Sequence, residues 1–115
     1  MHLEVTFKNL RPRDELRRRA AALFKKLERF LDASAEGTLT VAVEHGHAIL
    51  ELVVAAHGDV FKVIEEDEEL RTALDKLFHT MEGQLRRSKS RRITKRRAGD
   101  VVDGFVEEEA DGAPL

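Results

Sequence analysis

A chain of 115 residues, 42% hydrophobic and 37% charged, has room for one domain with a small, efficiently packed core. It holds no run of about 18 apolar residues that could span a membrane, and no Cys for a disulfide framework or a thiol nucleophile. The net charge of −2 conceals a segregation: residues 1–97 carry 20 basic and 16 acidic side chains, a balance of +4, and residues 98–115 carry six acids and no base. The start, Met1-His2-Leu3-Glu4, has neither the basic stretch nor the apolar core of a signal peptide, so a cytoplasmic location is expected.

His2–Phe7 alternates Leu3, Val5 and Phe7 against His2, Glu4 and Thr6, which predicts a strand with one buried face. Asn9–Pro12 breaks it, and Asp14 and Glu15 then suit the positive end of a helix dipole. Leu16, Ala20, Leu23, Phe24, Leu27, Phe30 and Leu31 follow helical spacing, predicting one amphipathic helix from about Arg13 to Leu31. Its solvent side carries Arg18, Lys25 and Arg29 at spacings of seven and four, with Arg19 and Lys26 on a second row. After the loop Asp32–Gly37, the stretches Thr38–Glu44, Ala48–Ala56 and Val60–Ile64 read as strands. The turns between them, His45-Gly46-His47 and His57-Gly58-Asp59, are too short for crossovers, so the three form an antiparallel meander.

The acidic run Glu65–Glu69 is expected to open a second helix with Asp67 as its N-cap. That helix is predicted to reach about Arg92, with an apolar stripe of Leu70, Ala73, Leu74, Leu77, Met81 and Leu85. Gly83 lies inside it at a cost of about 1 kcal/mol relative to Ala. The domain is expected to occupy residues 1–97, and residues 98–115 to be an acidic disordered tail. The order β-α-β-β-β-α has one economical solution, an α+β two-layer sandwich. Both helices then pack on one face of a four-stranded sheet, against Leu3, Val5, Phe7, Leu39, Val41, Val43, Leu50, Leu52, Val54, Phe61 and Val63.

Little catalytic chemistry is available. Ser34, Ser88 and Ser90 have no base and positioning partner nearby in a motif, so no enzyme is expected. His45 and His47 form an H-x-H pair, but a metal site needs further ligands and His57 lies at the far end of the next strand. Gly46, Gly58 and Gly83 are isolated and make no phosphate loop, so no cofactor is expected.

Arg86–Arg97 is different. It reads RRSKSRRITKRR, with eight Lys or Arg in twelve residues and no acid. It continues the second helix past the end of its apolar stripe. Dipole complementarity at a helix end accounts for two or three such charges, not eight. Membrane-surface and calmodulin-type helices need bulky apolar anchors, and only Ile93 is apolar here. A polyanion remains, with Arg18, Lys25, Lys26, Arg29, Arg86, Arg87, Lys89, Arg91, Arg92 and Lys95 as candidate RNA contacts on a basic two-helix face. With no Trp or Tyr, and five of the six Phe placed in strands or helices, base stacking on exposed aromatics is disfavoured. Phosphate and shape recognition of structured RNA fits better.

The segment Ala20-Ala21-Ala22-Leu23-Phe24-Lys25-Lys26-Leu27-Glu28-Arg29-Phe30 resembles the first helix of the ribosome hibernation-promoting factor and ribosome-associated inhibitor A family. Val43-Glu44, Ala73-Leu74-Asp75-Lys76-Leu77 and Gln84-Leu85-Arg86-Arg87-Ser88-Lys89-Ser90-Arg91 resemble its later motifs in the same order, across residues 1–97. The resemblance implies a fold similar to double-stranded RNA-binding domains. It also implies a partner, the small ribosomal subunit and the whole ribosome. The factor would occupy the decoding region, block the transfer RNA and messenger RNA sites, and preserve idle ribosomes under stress or in stationary phase. By position it implies ribosomal RNA contacts for Lys26, Arg87, Lys89 and Arg91. Arg71, Thr80 and Gly83 depart from the family's Tyr, Lys and Arg, which shifts the expected contact toward the Arg-rich end. Gly104–Glu109 resembles the acidic tail of the inhibitor A branch, and a chain of this length leaves no room for the second domain of the long hibernation factors. Two alternatives stay open: a protein-interaction regulator, for example of a transcription factor, with its contact on residues 65–69 or the tail, and a general structured-RNA-binding module.

Overall fold

The computed structural model describes residues 1–100, with side chains as far as Ile93. In chain order the elements are β1 (His2–Lys8), α1 (Asp14–Lys25), a 3-10 turn (Glu28–Phe30), β2 (Glu36–Glu44), β3 (His47–Ala56), β4 (Asp59–Asp67) and α2 (Leu70–Asp100). The expected acidic tail falls mostly on residues 101–115, outside the described residues. The chain divides into two compact units, Met1–Glu82 and the segment from Gly83 onward.

The first unit is the α+β sandwich that the element order calls for. Its sheet runs β1-β2-β3-β4. β2, β3 and β4 make the expected antiparallel meander, and β1 lies parallel to β2 with α1 as the crossover. Alternation along each strand puts Leu39, Val41, Leu50, Leu52 and Val54 on one face, all fully buried, with Val63 beside them. Leu3, Val5, Phe7, Val43 and Phe61 share that face at the sheet's edges and ends and are half-buried. Leu16, Ala20, Phe24 and Leu27 from α1 and its end, and Ala73, Leu74, Leu77, Phe78 and Met81 from α2, complete the core. The opposite face is open: Val60 is 70% and Ile64 56% exposed on the edge strand β4. Lys62 stands between them and pairs with Glu51 at 3.2 Å, a charge that discourages edge-to-edge pairing.

Two glycines are needed for reasons of geometry. His45-Gly46 and His57-Gly58 are two-residue hairpin turns in which both residues have positive φ (52° and 78°, 55° and 78°), as a type I′ turn requires. Gly37 answers to packing instead. A Cβ there would come within 2.9 Å of the Phe24 ring, so its absence lets α1 settle onto β2.

β2 starts at Glu36, two residues inside the expected loop, where Glu36 and Gly37 already pair with β1 and β3, and three other boundaries depart further from the sequence reading. The first helix stops at Lys25, and the chain tightens into the 3-10 turn, with Leu27 N–H donating to Phe24 O and Phe30 N–H to Leu27 O, both at 2.9 Å. The tightening buries Leu27 and Phe30 together, which an uninterrupted helix would not phase in the same way. Secondly, Glu65–Asp67 do not open α2. They extend β4, pairing with Leu50, Ile49 and Ala48, because the first half of β3 needs a ladder partner. Asp67 is therefore not the N-cap. Its Oδ1 accepts the Glu69 N–H two residues on at 2.9 Å, and the Glu69 carbonyl accepts the first helical bond, from Ala73. Thirdly, α2 continues to Asp100 rather than ending near Arg92.

Gly83 meets nothing closer than the Arg87 guanidinium, at 3.5 Å from a Cβ built on it. Gly83→Ala therefore has room, and it is expected to stabilise α2 by about 0.5–1 kcal/mol. A rise in helicity and thermal midpoint would record it; an unchanged or lower midpoint would contradict this reading of the site.

Candidate nucleic-acid interface

The interface is built on α2. Its entry is fixed by Asp67, whose Oδ1 takes the Glu69 N–H and whose Oδ2 takes the Lys76 ammonium, each at 2.9 Å. The Glu69 N–H first, and then Lys76, hold the Asp67 carboxyl below the usual carboxylate range. The same pair raises Lys76. A second clamp joins the helices: Arg19 donates from Nε and Nη2 to the two oxygens of Asp75 at 3.0 and 2.9 Å. Those bonds raise the guanidinium pKa further. Arg19 is thus a strut between α1 and α2 rather than a free cation of the Lys26 row. The sequence places Arg19 and Asp75 56 residues apart with no motif linking them.

The candidates of the first unit are Arg18, Lys25, Lys26 and Arg29. Arg18 and Lys25 are exposed on α1. Lys26 is the C-cap residue and borders a groove of about 260 Å³ between the helices, with Leu23, Phe78 and His79. Arg29 does not extend the α1 row, because the helix has already ended. It sits in the 3-10 turn with its guanidinium 4.7 Å from the Phe30 ring centroid and 4.0 Å from Glu82. The His57 ring braces this turn from β3–β4, with Nε2 at 3.1 Å from Phe30 O and Nδ1 at 3.4 Å from Asp32. Ser34, and then His57, lower the Asp32 carboxyl.

The candidates of the second unit all lie on α2. Arg86, Arg87, Lys89 and Arg91 are exposed. Arg87 and Arg91, four residues apart, share one row along the helix. Arg92 differs from expectation: it is half-buried and its Nη1 donates to Ser88 Oγ at 3.1 Å, Ser88 being 6% exposed. The inward row runs Met81, Leu85, Ser88, Arg92 at spacings of four, three and four, so it outlasts the apolar residues by a further turn and more. Lys95 lies on α2 beyond the described side chains.

Among the described residues no aromatic is displayed for stacking: Phe24, Phe30 and Phe78 are buried, and Phe7 and Phe61 are half-buried on the sheet's inner face. What the surface offers is arginine and lysine on a backbone already ordered as helix. That arrangement suits a phosphate-bearing polymer.

The family described as "Sigma 54 modulation protein / S30EA ribosomal protein" matches residues 3–93. Among solved structures, the chain is similar to the Protein Y N-terminal domain of Thermus thermophilus, at 24% identity and a TM-score of 0.69, over 74% of this chain and 96% of that one. It is also similar to a ribosomal subunit interface protein from Coxiella burnetii, at 21% identity and a TM-score of 0.64, over 78% of this chain and 99% of that one. At these identities the two structures bear on the fold. A search of curated proteins found no match. The family match spans β1 to the basic stretch of α2, the greater part of the chain, and by it the chain belongs to the Sigma 54 modulation protein / S30EA ribosomal protein family.

Proposed function

We propose that the chain is a ribosome-binding factor that occupies the decoding region of the small subunit, excludes transfer RNA and messenger RNA, and so holds idle ribosomes in reserve under stress or in stationary phase. It acts by occupancy, without catalysis. The observation that carries the reading is the acid-free basic stretch of α2, displaying Arg86, Arg87, Lys89 and Arg91, in a chain of this family. A pre-ordered helix presents those cations without the entropic cost of folding on contact. Their partner is RNA backbone, where neutralising phosphates releases counterions. Arg18, Lys25 and Lys26 on the first unit add phosphate contacts. Lys95, four residues beyond Arg91 in the sequence, is proposed as a further contact of the same stretch.

In a cell-free translation system the purified chain is expected to reduce protein synthesis in proportion to its occupancy of small subunits. Excess messenger and transfer RNA should relieve the inhibition if the sites are shared. Inhibition that excess RNA leaves untouched would remove the occlusion mechanism.

The family's description also names sigma 54 modulation, which favours a second reading, a contact with a transcription factor. The acidic run offered for that contact is divided between the end of β4 and the start of α2, with Asp67 already committed to Lys76. Capture of a protein partner that survives nuclease and high salt would support it over the ribosomal reading.

A further inference from the structure

The starts of α1 and α2 enclose a cleft of about 120 Å³, lined by Arg13, Glu15, Leu16, Arg19, Leu70 and Arg71. Three arginines thus line one cleft, Arg13 from just ahead of α1, Arg19 from α1 and Arg71 from α2, and one carboxylate, Glu15, lines it with them. Arg19 is neutralised by its two bonds to Asp75. Arg13 and Arg71 are exposed, and neither side chain has a hydrogen bond or ion pair among the described residues. Arg13 holds an extended backbone just ahead of α1 and does not use its side chain to cap the helix. Like charges lining one cleft repel. An anion between them removes the repulsion.

We propose that Arg13 and Arg71 form an RNA-phosphate site, with Arg19 as its fixed wall, separate from the basic stretch of α2. The size of the cleft selects the kind of ligand. Sites for free small molecules occupy roughly 300–1,000 Å³, so this one suits a group carried by a larger molecule. Planar guanidinium forks match the oxygens of a phosphodiester bidentately. Arg18, exposed one turn further along α1 than Glu15, favours a repeating polyanion over a lone carboxylate. The assignment rests on the ribosomal RNA reading and adds to it a contact on the first unit, at Arg13 and at Arg71, where the chain departs from the family's Tyr.

Binding of labelled full-length chain to purified small ribosomal subunits, measured between about 50 and 200 mM KCl, tests it. The double variant Arg13→Gln/Arg71→Gln is expected to bind about tenfold more weakly at 100 mM and to lose close to one unit of the log–log salt slope, as removal of one phosphate contact requires. Glu15→Gln, which makes the cleft more positive, should move the affinity the other way, by about threefold. Circular dichroism and thermal midpoints matching the wild type would exclude misfolding as the cause. Wild-type affinity and slope in the double variant would overturn the site while leaving the ribosomal reading intact, provided substitutions at Arg87, Lys89 and Arg91 still weaken binding. Failure of the wild-type chain to bind small subunits at all would overturn both.

Discussion

Reversing the charge at Arg87, Lys89 and Arg91 to Glu is expected to weaken binding to small ribosomal subunits by at least about 100-fold at 100 mM salt and to flatten the salt slope by about three units. All three side chains are exposed on α2, so the fold should be retained. Arg92 is left out of the set on purpose: its guanidinium is half-buried on Ser88, and changing it would mix a packing effect with a binding effect. Circular dichroism and thermal melting separate the two. An unchanged affinity with an intact fold would show that the basic helix is not the contact surface.

Leu52→Ala is expected to cost about 2–5 kcal/mol, the range for truncating a fully buried Leu when its surroundings cannot collapse. Leu52 lies on the central strand β3 between Leu39 of β2 and Val63 of β4, under the helical layer. For a domain whose total stability is about 5–15 kcal/mol, that loss would show as a large fall in the denaturant midpoint. Val53→Ala, one residue on and on the opposite face, should cost under about 1 kcal/mol. Equal losses at the two positions would contradict the one-sided burial of the sheet.

The fold was largely legible because its signals are periodic. Alternation at Leu3-Val5-Phe7 and Leu50-Leu52-Val54 set the strands and their inward faces, and the 3.6-residue spacing of Leu74, Leu77, Met81 and Leu85 set the core face of α2. The turns were legible from His-Gly pairs placed between apolar runs. The end of α1 was not. No Pro or Gly lies between Lys25 and Asp32, and Leu27, Phe30 and Leu31 still fit a helical stripe, so only the tertiary demand to bury Leu27 and Phe30 together reveals the 3-10 turn. The acids Glu65–Asp67 misled for a related reason. Their composition suits a helix start, yet β3 needs a strand beside it, and ladder pairing outweighed local preference.

The candidate site was partly legible. Arg86, Arg87, Lys89 and Arg91 are exposed, as a charge run without acids implies. Composition cannot show which cations are already engaged, and that is where sequence reading lost detail. Arg19 binds Asp75, Arg29 stacks on Phe30, and Arg92 leans on Ser88. The cleft between Arg13 and Arg71 unites residues 58 positions apart. In the sequence Arg13 stands only at the start of the first helix and Arg71 only where the family has Tyr, and no spacing links the two.

Sedimentation of the chain with purified ribosomes through a sucrose gradient tests the central claim most directly. At about 50 mM salt the chain should travel with small subunits and whole ribosomes, and it should move to the top of the gradient as salt rises through about 200 mM. A chain that sediments with neither species at low salt would contradict the account.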